Sequence, residues 1–249
     1  MRIVLFITAF VLAASTLTAQ SNGFVARGDS AYAAHRPADA VTHYEAAVAD
    51  SSEYEALWKA SRSLADLAEY EPDKDKRAEM YRRAERLARQ AVAVRPEDAE
   101  AHFHLARAVG RVALSHGPKD RVKFGKEVRE QALEALRLDP DHPGALHVMG
   151  MWHAEVRRLP RIARFFAKTF LGGDILGSAR WEEAVRLLSR AVEVDGERIV
   201  HHLDLARIYR DIDQHDQARV HYQHVIDGAV TDYNDPRYKE EAKAEMREM

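Results

Sequence analysis

IVHHLDLARIYRDIDQHDQARVHYQHVIDGAVTD, residues 199–232, is the stretch whose reading decides the fold. Its apolar and small residues recur at steps of three and four, which is the period of a helix and not the alternation of a strand. His202, Leu205, Ala206 and Tyr209 share one face of the first half, and Ala218, Tyr222 and Val225 one face of the second. Ala206 and Ala218 are small where two antiparallel helices cross closely. Leu205, Tyr209 and Tyr222 are large enough to fill the gap toward a neighbouring element. A single helix pair cannot bury its own apolar face, so the pattern calls for further copies stacked on it.

Those copies lie upstream. Phe24, Gly28 and Ala31, then Ala40, Tyr44 and Ala47, repeat the spacing in a unit that starts near Ser21. A second unit runs from a helix over about Glu53–Tyr70 to one carrying Ala84, Ala88 and Ala91. In a third, His102, Leu105, Ala106 and Val109 precede Val128, Ala132 and Ala135. The fourth pairs Leu146, Met149 and Gly150 with Ala184, Leu188 and Ala191. The phrases Val94-Arg95-Pro96-Glu97-Asp98, Leu138-Asp139-Pro140-Asp141 and Val194-Asp195-Gly196-Glu197 recur at equivalent points, each a helix end, a breaker and a new start. The expected fold is all-α: a tetratricopeptide-type α-solenoid of about five helix pairs, with insertions in the middle repeats. Asp235-Pro236 opens a last, mostly charged helix that caps the open end. Residues 20–249 are expected to form this one repeat domain.

Gly150-Met151-Trp152-His153-Ala154-Glu155-Val156, Leu171-Gly172-Gly173 and Trp181-Glu182-Glu183-Ala184 are more specific than a generic repeat. With Leu138-Asp139-Pro140 before them and Asp235-Pro236-Arg237-Tyr238 after them, the stretch from Glu53 to Arg247 resembles the regulator of microtubule dynamics family and its bacterial relatives. The resemblance implies a tetratricopeptide-like domain with lengthened middle repeats. Eukaryotic members associate with microtubules, and some act at membranes and bind lipid. The family supplies no catalytic residues to carry over.

The chain has 249 residues, of which 46% are hydrophobic and 31% charged, a globular balance. A net charge of -3 gives no electrostatic footprint for nucleic acid. Arg2, the apolar stretch from Ile3 to Ala14 and the small residues up to Ala19-Gln20 have the layout of a secretory signal peptide, so residues 1–19 are expected to be removed on export. The absence of cysteine excludes a lipoprotein anchor, disulfides and thiolate metal sites. A bacterial periplasm is the expected compartment, with secretion the other possibility, and export would keep the protein away from microtubules.

Catalytic motifs do not emerge. The span from Gly117 to Gly125-Lys126 is too long for a phosphate loop, and Glu127 stands where a hydroxyl residue is needed. No nucleophile, base and orienter fall together, so no enzyme and no cofactor are expected. Histidine is abundant, with 13 residues. His221 and His224 share a helix face at i,i+3 and could chelate zinc or copper, but a firm site needs a third ligand and none is clearly placed. His102 and His202 take the position of a core aromatic, and no metal is expected.

A partner is expected on the inner wall, which the first helix of each pair lines. Repeat positions place Tyr54 and Trp58 there, then Phe103, Arg107 and Arg111, then His147 and Met151, then Arg207 and Arg210. Aromatic residues and arginine dominate binding hot spots, and arginine grips carboxylates through paired hydrogen bonds. The expected ligand is a protein or peptide, acidic or carrying its C-terminal carboxylate, with an apolar side chain against Trp58 or Phe103. The alternative is a lipid or other hydrophobic small molecule. Arg157, Arg161, Arg164 and Lys168 fall on one face of the inserted segment 157–170, with Phe166 and Phe170 on the other, as in a helix that lies on anionic lipid.

Overall fold

The computed structural model describes residues 23–51, 53–116, 118–159 and 177–249. The expected export segment 1–19 lies outside these residues, as do Arg161, Arg164, Phe166, Lys168 and Phe170. Every regular element among the described residues is a helix: α1 (23–33), α2 (Pro37–Ser51), α3 (Tyr54–Ala68), α4 (Lys74–Val94), α5 (Ala99–Leu114), α6 (Pro118–Leu138), α7 (Pro143–Arg158), α8 (Trp181–Val194), α9 (Ile199–Asp211), α10 (His215–Asp227) and α11 (Asp235–Arg247). None is long and apolar enough to cross a membrane.

The chain divides into two compact units, one ending at Pro96 and one spanning Glu97–Met249. In the first, α2 packs on α3 and α3 on α4. Tyr44 of α2 reaches α1, where its hydroxyl donates to Asp29 at 2.7 Å and its ring lies where a Cβ on Gly28 would sit. In the second unit, α5 pairs with α6, α7 with α8 and α9 with α10, while α11 lies across α9 and α10. This is the expected order of helix pairs, with a capping helix at the end.

The three boundary phrases end their helices in the same way. α4, α6 and α8 stop at Val94, Leu138 and Val194. In each case the next residue, Arg95, Asp139 or Asp195, donates its N–H to an alanine carbonyl four positions back, at 2.8–2.9 Å. Pro96, Pro140 or Gly196 then prevents further helix. New helices begin on side-chain caps. Asp73 accepts from the amides of Asp75 and Lys76, Asp98 from Glu100, and the Nδ1 of His142 from Ala145. Asp235 behaves differently from the expected cap: its carboxylate accepts from the amides of Thr231 and Asp232, which ties down the incoming loop.

Small residues set the crossings. Ala40, Ala47, Ala84, Ala91, Ala106, Ala132, Ala184 and Ala218 are all fully buried. Gly150 serves the same end between α7 and α8, because a Cβ there would stand 2.9 Å from Leu188 Cγ. Close approach lets large side chains fill the spaces between pairs. Ile199, Leu203, Ala206, Ala218, Tyr222, Val225, Tyr238 and Ala242 form one such layer, which joins α9, α10 and α11. Burial of this kind contributes about 25 cal/mol for each Å² of apolar surface, and it holds together a chain that has no disulfide.

Candidate partner-binding groove

Within the second unit, α7 lies beside both α5 and α9. These are the first helices of their pairs, and they carry Phe103, Arg107, Arg111, His147, Met151, Arg207 and Arg210, all partly exposed. Seven of the nine expected groove residues therefore belong to these three helices of one unit, Met151 being packed against the layer of Ala184 and Leu188. Trp58 belongs to the first unit. It is half-buried, with Lys59 Nζ 5.5 Å and the Arg62 guanidinium 5.3 Å from its ring. Tyr54 is a correction. It is only 5% exposed and lies under the Arg95 guanidinium, 4.2 Å from its ring centroid, so it is a packing residue.

At the α5 end the Phe103 ring rests between His104 and His142, with centroids 4.6 and 4.8 Å away, and against Gly144 at the start of α7. Glu100 faces both imidazoles, with its carboxylate 3.2 Å from His104 Nε2 and 3.6 Å from His142 Nε2. Burial works to raise the Glu100 carboxyl, yet the close His104 imidazole, with His142 beside it, holds it well below the usual carboxylate range.

A polar network runs from α7 through α9 to α11. His201 and His147 face each other with their Nδ1 atoms 2.9 Å apart, and His147 Nε2 is 3.2 Å from Asp204. Asp204 accepts from Arg207 at 3.0 Å. The same guanidinium donates to Glu241 at 2.7 Å and to both oxygens of Glu245. Arg210 and the Tyr222 hydroxyl complete the environment of Glu245, at 3.2 and 2.7 Å. Asp204 is buried, which would raise its pKa, but hydrogen bonds from His147 and Arg207 reverse the direction and keep it ionised. Arg207 is thus a second correction. Its donors are engaged by three carboxylates of its own chain, two of them from the capping helix. Residue spacing alone shows neither His201 and Asp204 nor the pair Glu241 and Glu245 as part of this face, although the i,i+4 acids on α11 are the signal that points to it.

The other candidate surface begins at Arg157, which is exposed on the last turn of α7. Next to it, Arg158 is fastened to Glu155 and Asp211 at 2.6 Å each.

Antiparallel helix pairs with alanine and glycine at their crossings, stacked in order, define a tetratricopeptide-type repeat fold. A thermophilic TPR protein of Thermus thermophilus has the same fold, with a TM-score of 0.65 at 18% identity over 90% of this chain and 99% of that one. Pseudomonas aeruginosa pilF follows it at 0.54 and 12% identity, over 93% and 90% of the two chains. The family described as regulator of microtubule dynamics protein 1-3 matches residues 24–249, and the chain belongs to that family. Regulator of microtubule dynamics protein 1 of Mus musculus is 26% identical over 59% of this chain and 48% of its own length. Protein 3 of Rattus norvegicus is 22% identical over 69% and 36%. The chain thus spans about half the length, or less, of these relatives.

Proposed function

We propose that the protein is an exported scaffold that binds an acidic segment of a protein partner on the face formed by α5, α7 and α9. The observation that carries this reading is the grip of Arg207 and Arg210 on Glu241 and Glu245, two carboxylates one helical turn apart on α11. The last part of the face already recognises an acidic helix supplied by its own chain. Arg107 and Arg111 repeat that residue type one turn apart on α5, beside the half-buried Phe103 ring. A planar guanidinium pairs with a carboxylate through two parallel bonds, and an adjacent aromatic gives an apolar anchor. The relatives are named for microtubule dynamics. What carries over to this chain is the repeat surface, while an exported chain would have another partner.

Binding of acidic and C-terminal peptides to the purified protein is expected to weaken at least ~10-fold in an Arg107→Ala, Arg111→Ala double variant, a loss of about 1.4 kcal/mol. Unchanged affinity across the library would remove these arginines from the site. Export is tested separately. The full chain produced in a bacterium is expected to be recovered from the envelope fraction with Gln20 as its first residue, and a cytoplasmic product that retains Met1 would overturn that part of the reading.

A further inference from the structure

The acidic helix at the end of the chain is fastened in two unlike ways. Its start is anchored: the Asp235 carboxylate accepts from the amides of Thr231 and Asp232, Arg198 reaches Asp232 at 3.1 Å, and Lys239 Nζ donates to the Gly228 carbonyl. Tyr238 and Ala242 are buried in the layer that α11 shares with α9 and α10. Its end is held mainly by charge. Glu241 and Glu245 meet Arg207 and Arg210, and these four side chains keep 19–35% of their exposure. Met246 packs only partly against the layer and borders an open pocket with His202, His221 and His224. The Nδ1 atoms of His202 and His221 are 2.9 Å apart there, and the rings of His202 and His224 are stacked at 3.7 Å.

Arg207 divides its donors between a fixed and an exchangeable partner. Its Nη1 donates at 3.0 Å to Asp204, a buried carboxylate that also faces His147. The edge formed by Nε and Nη2 serves Glu245 and Glu241. Asp204 therefore keeps the guanidinium aimed when the outer carboxylates leave. Replacing them by other carboxylates keeps the arginines paired and releases Glu245 to water, which avoids stranding a charge in a dry site. Glu241 has a second cation to turn to, Arg237 at 2.9 Å.

We propose that α11 is autoinhibitory: in the free chain Glu241 and Glu245 occupy Arg207 and Arg210, and an acidic segment of the partner displaces them. The inference rests on the reading of α5, α7 and α9 as a site for acidic segments. Displacement involves the last turn of α11, since its start stays anchored. A tethered occupant acts at the high effective concentration that a short link confers. A free peptide therefore binds with an affinity reduced by the fraction of chains whose arginines are open. Selection then falls to segments that make contacts beyond these two arginines.

Fluorescein-labelled hexaglutamate, titrated into the full chain and read by anisotropy, tests the contact. A Glu241→Gln, Glu245→Gln double variant is expected to bind it at least ~10-fold more tightly than wild type. Glu240 and Glu248 are exposed and touch neither arginine. A Glu240→Gln, Glu248→Gln chain, which loses the same charge, is expected to stay within about 2-fold of wild type. A second measurement needs no variant. Saturating hexaglutamate is expected to speed amide exchange in the last turn of wild-type α11 while α9 stays protected. Equal or weaker binding by the first double variant, or an equal gain in the second, would overturn the proposal and leave the acidic-segment reading standing. So would unchanged protection of α11 at saturation. If neither wild type nor the first variant binds hexaglutamate, the acidic-segment reading falls and this inference falls with it.

Discussion

Arg207→Ala is expected to destabilise the second unit by about 3 kcal/mol, the lower end of what breaking a buried ion pair costs, because the side chain keeps 24% of its exposure. The loss has two sources. Asp204 is buried and would retain only His147 as a partner, so a charge would remain in a poorly hydrated site. Glu241 and Glu245 would lose the cation that fastens α11 across α9, leaving Glu245 with Arg210 and the Tyr222 hydroxyl. The apolar contact of α11 is small, Tyr238 and Ala242 with Met246 packed partly against the same layer, so this polar attachment is a substantial part of what holds it. The amides of α11 are expected to exchange with solvent well before those of α9, and the melting temperature to fall by about 8 °C. Arg207→Lys keeps the charge without the planar fork and is expected to fall between the two. A change below about 0.5 kcal/mol with α11 protection intact would show that apolar packing alone holds the cap.

The fold was legible because its cues are local. Ala91, Ala135 and Ala191 precede a breaker by the same interval in three repeats, and each accepts the same terminating hydrogen bond. A period set by helix crossings survives wide variation at other positions. That α5, α7 and α9 are the first helices of successive pairs and lie beside one another was legible for the same reason, since repeat order fixes which helices are neighbours. What the side chains meet was not. Arg207 meets carboxylates 34 and 38 residues away on a helix that reads from its composition as a solvated cap. Tyr54 is covered by Arg95, which enters from the far end of α4. The histidine cluster was half legible. His202 at a core aromatic position and His221 and His224 on one face are each plain in the residues, but their meeting depends on the register of α9 against α10, which pair spacing alone does not specify.

Lowering the pH from 7 to 4.5 is expected to remove on the order of 4 kcal/mol of stability, before any carboxylate in the network is affected. Burial, with the charges of His147 and Arg198, pushes His201 down to about 2, and burial with His224 and His221 pushes His202 down to about 4. An unfolded imidazole titrates near 6.5. Below that value the unfolded chain takes up protons that the folded one refuses, so stability is full above about 6.5 and declines as the pH falls toward the folded values. The carboxylates act in a different window. Asp204, Glu100 and Glu245 are held below their unfolded values by their partners, so their contribution persists down to about pH 4 and is lost only beneath it. Denaturant titrations at pH 7, 6, 5 and 4.5 at fixed ionic strength are expected to show a continuous decline. In a His202→Phe variant, which keeps a ring at the position without a titrating group, that decline is expected to be shallower by about 2 kcal/mol. Constant stability across the interval would mean that these imidazoles accept protons in place, and that α9 moves apart from α7 and α10 far enough to hydrate them.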